Sequence, residues 1–375
     1  MTTPEHRRLA AGGRWRKWGP YVSERAWGTV REDYSEHGEA WEHFPHDQAR
    51  SRAFRWSEDG LGAVCDRAQR LCLGFAFWNG RDPVLKERIF GLTGNEGNHG
   101  EDAKEYWWYL DSTPTHSFMR WRYFYPHQEF PYAELVAENR RRGRLDPEYE
   151  LVDTGTFDGD RYWDITVDYA KAAPDDLCVV LRAANAGPEA ASLDVLPTLW
   201  FRNTWAWGRD DRRPSLIGKD GRVVAEHHSL GRMVLAGDGR PELLFCENDS
   251  NARRLWGLDG PAPYPKDGIN DHVVHGAATV NPGGFGTKAA LRYRLSVPAG
   301  ATREIRLRLS PEGGDLGAGL ARVMKQRARE ADQFYATLTP ADATPDEAMV
   351  MRQAFAGLLW SKQFFHYDVE HWLDG

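Results

Sequence analysis

Between Leu61 and Ser310 the sequence repeats one pattern, in which a short apolar or alternating run is followed by a turn. Gly, Pro, Asn or Asp separates nearly all of the runs, as is typical of strands joined by turns. The runs RYWDITVDYA and REIRLRLS alternate apolar and polar residues, so each is expected to bury one face. The chain is therefore predicted to be mainly β, with a large N-terminal β-sandwich over residues 1–310.

After Pro311 the apolar positions recur with the period of an α-helix. The residues that share this i, i+3/i+4 spacing are Leu316, Leu320, Val323, Arg327, Ala331, Phe334 and Leu338. Polar residues of the stretch KQRAREADQ supply the opposite, solvated face. This pattern predicts a helical linker over residues 311–344.

The stretch TPADATPDE ends in a helix start. Thr344 is placed as the N-cap, Pro345 as the first helical residue, and Glu347 closes a capping box. A last helix is therefore predicted from Pro345 to about Phe365.

This last helix has an unusual composition, because no polar side chain occurs from Ala354 to Trp360. A helix that is apolar all round must be buried all round, but the outer surface of a β-sandwich buries only one stripe of a helix. Further helices are expected to cover the remaining sides of this helix. Without them, we expect at least one side to expose Phe355, Leu358, Leu359, Trp360 and Phe364.

Composition narrows the classes of partner. The formal net charge of −7 argues against a nucleic-acid partner, which would require a basic face. No run approaches the roughly 18 apolar residues of a membrane span. The start MTTPEHRRLAAGG lacks the apolar region of a signal peptide. The four cysteines lack metal-ligand spacing. A cytoplasmic protein with reduced cysteines is therefore predicted. Trp is as common as Phe, at 16 residues each, which suits sugar rings but equally suits an ordinary β core.

Six uncommon stretches are distributed from Trp27 to Leu373. They read WGTVREDYS, RWSEDGL, WNGRDPVLKERIFGLTGNEGNHGEDAKEYWWYLD, PTHSFM, LWFRNTWAWG and LLWSKQFFHYDVEHWL. Together they resemble the N-terminal portion of glycoside hydrolase family 63-like proteins, the group related to glucosidase I and mannosylglycerate hydrolase. The resemblance covers nearly the whole chain.

The resemblance implies an N-terminal β-sandwich, linker helices and a C-terminal (α/α)6 barrel that carries a catalytic Asp and Glu. Residues 345–375 would then be the start of a truncated barrel, of which about the first helix is present. The family's catalytic carboxylates have no matching positions here, so no catalytic residue is assigned. No cofactor and no metal are predicted either.

The sharpest polar cluster is GNEGNHGED, residues 94–102. Substrate-binding residues are predicted in it at Glu96, His99, Glu101 and Asp102. A glycine-rich loop whose carboxylates bind sugar hydroxyls is one interpretation, because loops on a rigid scaffold often carry function. Caps on nearby backbone groups, and a metal site built from His99, Glu96 and Asp102, are the alternatives.

Two further groups of residues have both a structural and a functional interpretation. In the last helix, stacking faces and donors suited to a sugar site are predicted at Trp360, Lys362, Gln363 and Tyr367. In HDQARSRAFRW, Arg50, Arg52 and Arg55 accompany Asp47, Glu58 and Asp59. These residues predict buried Arg–carboxylate forks, with recognition of a substrate carboxylate as the alternative.

Two alternative functions are therefore predicted for this chain. One is the N-terminal fragment of a glucosidase-like glycoside hydrolase that acts on short α-glycosides and shapes the substrate cleft of a missing catalytic barrel. The other is a non-catalytic carbohydrate-binding or structural β-sandwich that associates with a separate barrel partner. The predicted partners are a carbohydrate and, through residues 345–375, a barrel domain or a second copy of the chain.

Overall fold

A computed structural model describes residues 2–22, 46–53, 59–92, 96, 102–208, 212–362 and 369–374. The strands are β1 (Trp18–Gly19), β2 (Leu61–Asp66), β3 (Leu71–Trp78), β4 (Gly91–Leu92), β5 (Asp102–Ala103), β6 (Tyr106–Ser112), β7 (Phe118–Pro126), β8 (Tyr162–Ala173), β9 (Asp176–Asn185), β10 (Ala191–Phe201), β11 (Ser215–Lys219), β12 (Arg222–His227), β13 (Gly231–Gly237), β14 (Glu242–Cys246), β15 (Phe285–Gly286), β16 (Lys288–Val297) and β17 (Thr302–Ser310). The α-helices are α1 (Pro4–Ala10), α2 (His46–Ala49), α3 (Tyr132–Arg141), α4 (Ala252–Trp256), α5 (Gly268–His275), α6 (Ala318–Tyr335), α7 (Pro345–Trp360) and α8 (Val369–Asp374).

The strands form a β-sandwich, as predicted. Within the described ranges, one antiparallel sheet has six strands in the order β1-β2-β3-β10-β16-β14. The other has nine, in the order β15-β11-β12-β13-β17-β9-β8-β7-β6. One continuous apolar core joins residues of both sheets, such as Phe75 of the first and Trp121 of the second. Strands β4 and β5 form a separate small ribbon.

The predicted alternation of buried and solvated residues is confirmed in β8, and the neighbouring strand β7 shows the same pattern. Trp121 and Tyr123 of β7, and Ile165 of β8, are fully buried in the core. A neighbouring residue of each strand points outward, where the Arg122 guanidinium donates to both carboxylate oxygens of Asp164 at 2.9 and 2.7 Å. Because successive side chains point to opposite faces of a strand, a residue's position in the alternation decides whether its side chain lies in the core or in solvent.

The four cysteines are free thiols and all are buried. Cys65 and Cys72 are direct cross-strand partners in the hairpin of β2 and β3.

Helix α6 covers the outer face of the nine-stranded sheet. Leu320 packs with Cys178 and Val180, and Ala331 packs with Phe118 and Ala170. Polar anchors supplement these contacts. The Arg327 side chain donates to the Lys171 carbonyl at 2.7 Å, and the Tyr335 hydroxyl donates to the Ser112 carbonyl. The predicted linker is thus a helix that is packed against the sandwich.

Helix α7 begins where the capping box predicts. The Thr344 N–H donates to Glu347 Oε2 at 2.8 Å, and the Glu347 N–H donates back to Thr344 Oγ1 at 3.3 Å. The helix ends at Trp360, short of the predicted end near Phe365, and Ser361 caps it with a hydroxyl bond to the Gly357 carbonyl. Residues 363–368 lie outside the described ranges.

The expectation that Trp360 is exposed is wrong. The side chain is 0% exposed and belongs to the main core of the sandwich. Its ring stacks on Tyr109 of the edge strand β6, with 5.3 Å between centroids, and meets Tyr169 edge-on at 5.8 Å. The physical reason is that β6 ends the nine-stranded sheet, so the opening beside it admits a large side chain from α7.

Candidate functional site

The predicted polar loop connects β4 to β5. The two strands pair as Gly91 with Ala103 and Leu92 with Asp102. Glu96 is partly buried and is described, whereas His99 and Glu101 lie outside the described ranges. Asp102 is placed by its backbone in β5. The shared role of the four predicted residues in binding substrate remains a prediction.

The first anchor of this loop is a buried ion pair between Lys86 and Glu105. The Lys86 Nζ lies 2.6 Å from Glu105 Oε1, and both side chains are fully buried. The Tyr123 hydroxyl donates to Glu105 Oε2 at 2.6 Å, and the Phe90 N–H donates to Oε1 at 3.0 Å. Burial raises the pKa of Glu105 above its ordinary value, although Lys86 acts in the opposite direction. The carboxylate thereby joins the chain before the loop to the chain after it.

A second buried charge cluster holds the segment that precedes β4. Asp59 accepts from Arg88 and from Lys266, whose Nζ lies 2.7 Å from Asp59 Oδ2. The adjacent Glu87 lies 3.1 Å from the Lys288 Nζ. Burial raises the pKa of Asp59, but Lys266 and then Arg88 outweigh it and hold that pKa well below its usual range.

The segment that follows β5 has its own anchor. The buried Lys104 Nζ lies 2.8 Å from Glu148 and 3.2 Å from Glu150. Buried ion pairs contribute little net stability, but separating the partners is costly, so they favour a single arrangement. The two ends of the loop are therefore held on a rigid base, which is what a binding loop requires.

A cavity of about 580 Å³ opens beside this base, between α2, α3 and the segment around residues 83–91. Glu96 of the loop contributes to its wall. The other lining residues are His46, Asp47, Arg50, Pro83, Val84, Phe90, Gly91, Tyr132, Ala133, Val136, Ala137 and Arg140. We call it the α2–α3 cavity. Tyr132 was not among the predicted site residues, because three segments far apart in the chain must pack before it lines the same cavity as Arg50.

In the stretch HDQARSRAFRW, the structure departs in part from the predicted buried Arg–carboxylate pairs. The Arg50 Nη1 donates to Asp47 Oδ1 at 2.7 Å, but the Asp47 side chain is 68% exposed, so this pair is not buried. Arg254 of α4 also binds Asp47, at 2.9 Å. Asp59 takes its partners from Arg88 and Lys266 instead. Arg55 and Glu58 lie outside the described ranges.

Trp360 and Lys362, two residues of the sugar site predicted in the last helix, lie in different surroundings. Trp360 presents no free ring face at the surface, since its ring is packed in the core and its indole N–H is bonded. Lys362 is exposed; partial loss of water, and then the nearby Arg16, lower the pKa of its ammonium group. Gln363 and Tyr367 lie outside the described ranges, so their role in binding substrate stays a prediction.

The opposite side of α7 is apolar and exposed. Leu358 is 72% exposed, and Met349, Val350 and Phe355 are exposed with it. Helix α8 adds Trp372 to the exposed apolar residues at this end of the chain. The expected exposure of Phe355 and Leu358 is confirmed. Met349 lies on the same side of the helix as Ala356 and Trp360, where it lines a hollow with Asp111. We therefore call Val350, Phe355 and Leu358 the outer face of α7.

Two kinds of site receive no support from the part of the chain that is described. There, no three His, Cys, Asp or Glu side chains come together in a way that could hold a metal ion. The metal alternative for the loop depends on His99, outside those ranges. None of the helices that the structure describes combines the length and the apolarity needed to cross a bilayer.

Comparison with known proteins gives one strong relative. No protein-family model matches the chain. An uncharacterized protein of Saccharomyces cerevisiae is 38% identical over 411 aligned residues, which cover 96% of this chain and 38% of the yeast protein. The chain therefore spans well under half the length of this relative.

Several solved structures of carbohydrate-processing enzymes show a weak likeness. A polysaccharide lyase is 12% identical, over 70% of this chain and 28% of that chain, with a TM-score of 0.31. A human-microbiome protein assigned as a kojibiose phosphorylase is 8% identical, over 52% and 21%, with a TM-score of 0.24. An Escherichia coli protein assigned as an aldose 1-epimerase is 10% identical, over 54% and 67%, with a TM-score of 0.23. Such TM-scores are too low to support a functional argument.

Proposed function

We propose that this chain is the N-terminal β-sandwich portion of a glycoside hydrolase that acts on short α-glycosides. In this role it shapes the substrate cleft of a catalytic (α/α)6 barrel. The observation that carries the proposal is the one-sided burial of α7. One side of the helix, with Ala356 and Trp360, is buried in the sandwich, while the outer face is apolar and exposed.

The energetics of the outer face support a missing helical partner. Burying one large apolar side chain contributes roughly 1.5–3 kcal/mol. Several such residues exposed together mark an interaction surface. Because α7 is already fixed to β6, a partner that covers its other side would be held at a defined position relative to the sandwich. A barrel whose first helix is α7 meets that requirement.

The β4–β5 loop supports a role in shaping a cleft. Its ends are fixed by Lys86–Glu105 and by the Asp59 cluster, so Glu96 belongs to a loop that starts and ends on a rigid base. The sequence resemblance supplies the reaction class, and the catalytic Asp and Glu are expected in the barrel. The isolated chain is accordingly expected to have no glycosidase activity.

The second candidate function is a non-catalytic carbohydrate-binding or structural sandwich that associates with a separate barrel protein. The outer face of α7 favours it to the same degree, because that surface suits a partner from another chain as well as one from the same chain. The two candidates differ in whether hydrolysis requires covalent continuity.

The yeast relative provides the test, because its length extends beyond the matched region. We would compare the full-length yeast protein, this chain alone, and a chimera in which this chain replaces the matched yeast region. Glucose release would be measured from maltose-type, sucrose-type and glycerate-linked glucosides. Hydrolysis is expected for the full-length protein and the chimera, and not for this chain alone.

A matched variant makes the test specific to α7. Leu358→Asp in the chimera places a charge on the outer face and is expected to abolish hydrolysis, whereas Leu145→Asp, at a residue that is 99% exposed on a distant turn, is expected to leave it unchanged. Hydrolysis by this chain alone would place the catalytic groups within it and refute the proposal. Lack of hydrolysis by the full-length protein on every glucoside would refute the reaction class.

A further inference from the structure

The α2–α3 cavity contains buried hydrogen-bond donors that have no partner. The Tyr132 hydroxyl is buried and makes no hydrogen bond within the described structure, and the Nε of Arg50 is in the same state. Both residues line the cavity. Leaving a buried donor unsatisfied costs about 1–3 kcal/mol, so such groups in a native fold call for a partner.

The two donors are held in place by their surroundings. The Tyr132 ring meets Phe90 edge-on at 5.0 Å and lies 4.6 Å from the Phe130 ring. Burial, and then Asp82, raises the pKa of Tyr132 well above its ordinary value, so the hydroxyl keeps its proton. Arg50 is fixed through its Nη1 bond to Asp47, which leaves Nε available to a ligand. Both groups are therefore fixed donors in the cavity wall that lack an acceptor.

The remaining lining indicates a neutral ligand with one apolar face. The charged side chains are two cations, Arg50 and Arg140, and two anions, Asp47 and Glu96, so their formal charges cancel. The rest of the wall is largely apolar and comes from Pro83, Val84, Phe90, Ala133, Val136 and Ala137. A pyranose has matching properties, because its hydroxyl groups donate and accept while its C–H face is apolar. The volume of about 580 Å³ lies in the range of small-molecule sites.

We infer that the α2–α3 cavity binds a neutral hexose or a short glucoside, with sugar oxygens accepting from the Tyr132 hydroxyl and the Arg50 Nε. This site lies in the sandwich itself and requires neither the barrel nor catalysis. It therefore goes beyond the proposed function, and either statement can fail while the other holds.

Isothermal titration calorimetry of the 375-residue chain with D-glucose and with maltose tests the inference directly. At least one of the two sugars is expected to bind saturably. Tyr132→Phe removes only the hydroxyl, and Arg50→Lys keeps the charge beside Asp47 while removing Nε. Each change is expected to weaken binding about three- to tenfold, the effect of one lost hydrogen bond. Tyr149→Phe is the matched control, because its hydroxyl donates to Glu134 outside the cavity.

A second readout separates a ligand site from a structural role. Because the Tyr132 hydroxyl is unsatisfied without ligand, Tyr132→Phe is expected to leave the thermal midpoint of the free protein unchanged or to raise it. The rise of that midpoint on adding the sugar should shrink in the variant. The inference is overturned if neither sugar binds, if both variants bind like the parent, or if a D-glycerate probe binds while both sugars do not.

Discussion

Trp360 donates its indole N–H to the backbone carbonyl of Asp111 at 3.0 Å, and this bond fixes the end of α7 to the edge strand β6. Eight residues earlier on the helix, the Arg352 guanidinium donates to the Asp111 carboxylate at 2.5 Å. One residue of the sheet therefore holds two turns of the helix. This explains why the last two turns of the helix, which lack polar side chains, have a defined orientation with Trp360 inward and Leu358 outward.

Trp360→Ala is expected to lower the free energy of unfolding by roughly 3–5 kcal/mol, because it leaves a large cavity in the core and a carbonyl without its donor. Leu358→Ala on the exposed side of the same helix should change it by no more than about 0.5 kcal/mol. Urea denaturation of both variants measures the difference. Equal stability of the two would show that α7 is not docked in solution.

A fragment of residues 1–310 is expected to unfold cooperatively but at lower stability than the whole chain. The sandwich keeps both of its sheets, but it loses Trp360 and the bonds from Arg327 and Tyr335 of α6. Circular dichroism during thermal unfolding would compare the fragment with the full chain. An unfolded fragment would mean that the helices belong to the β domain and that the predicted boundary at residue 310 is misplaced.

Lys86→Met is expected to lower the free energy of unfolding by roughly 3–5 kcal/mol, because the Glu105 carboxylate would stay buried without its cation. Lys86→Met combined with Glu105→Gln should recover most of this loss, since no unpaired charge remains. Arg141→Ala, which removes the exposed ion pair with Glu138, is the control and should hardly change the free energy of unfolding. If the double variant were no more stable than the single one, the unpaired carboxylate would not be the cause of the loss.

Acidification is expected to destabilise the fold through His116. Burial, followed by the charges of Lys171, Lys362 and Arg16, holds the pKa of this imidazole well below 6.5. The fold therefore favours the neutral ring. Its stabilising effect is complete above about pH 6.5 and is lost as the pH falls below that value, by up to about 2 kcal/mol at pH 5.

The variant His116→Asn tests this assignment, because Asn tolerates the positive φ of 55° at this position. Its stability should differ less between pH 7 and pH 5 than that of the parent in urea titrations. His275→Asn, at an exposed position, serves as the control for a histidine change. An unaltered pH dependence in His116→Asn would assign the acid sensitivity to other groups.

The outer face of α7 is expected to drive self-association of the isolated chain. Leu358→Glu should shift the population toward monomer, because a charge there opposes burial of the apolar face. Leu145→Glu adds the same charge at an isolated exposed residue and should have no effect. Light scattering over a range of concentrations would report both. A monodisperse monomer for the parent chain would remove the physical support for a partner at this surface.

Local pattern was sufficient for much of the fold. The alternation in RYWDITVDYA predicted that this strand buries one face, and Trp163, Ile165 and Val167 on its apolar face are fully buried. The capping box at Thr344 predicted the start of α7. Both succeed for the same reason: a side chain's direction follows from the strand period or the helix period, and backbone groups at a helix start must find nearby partners.

The candidate site could be predicted only in part. The polarity of the β4–β5 loop was visible in GNEGNHGED, but the buried pairs that fix its ends were not. Asp59 was interpreted as a partner of arginines within a few residues, whereas its partners are Arg88 and Lys266, far along the chain. A buried carboxylate takes the cation that the packing brings to it, and sequence distance does not restrict that choice.

The sequence by itself determined a β-rich chain with turn-separated strands, four cysteines available as thiols, and a final helix with too much apolar surface for one sheet to cover. Only the tertiary structure decided which side of that helix is buried, and that Tyr132 and Arg50 line one cavity. The physical reason is that burial preferences and backbone periods act locally. Orientation and cavity shape instead depend on contacts between elements up to about 250 residues apart, such as Trp360 and Asp111.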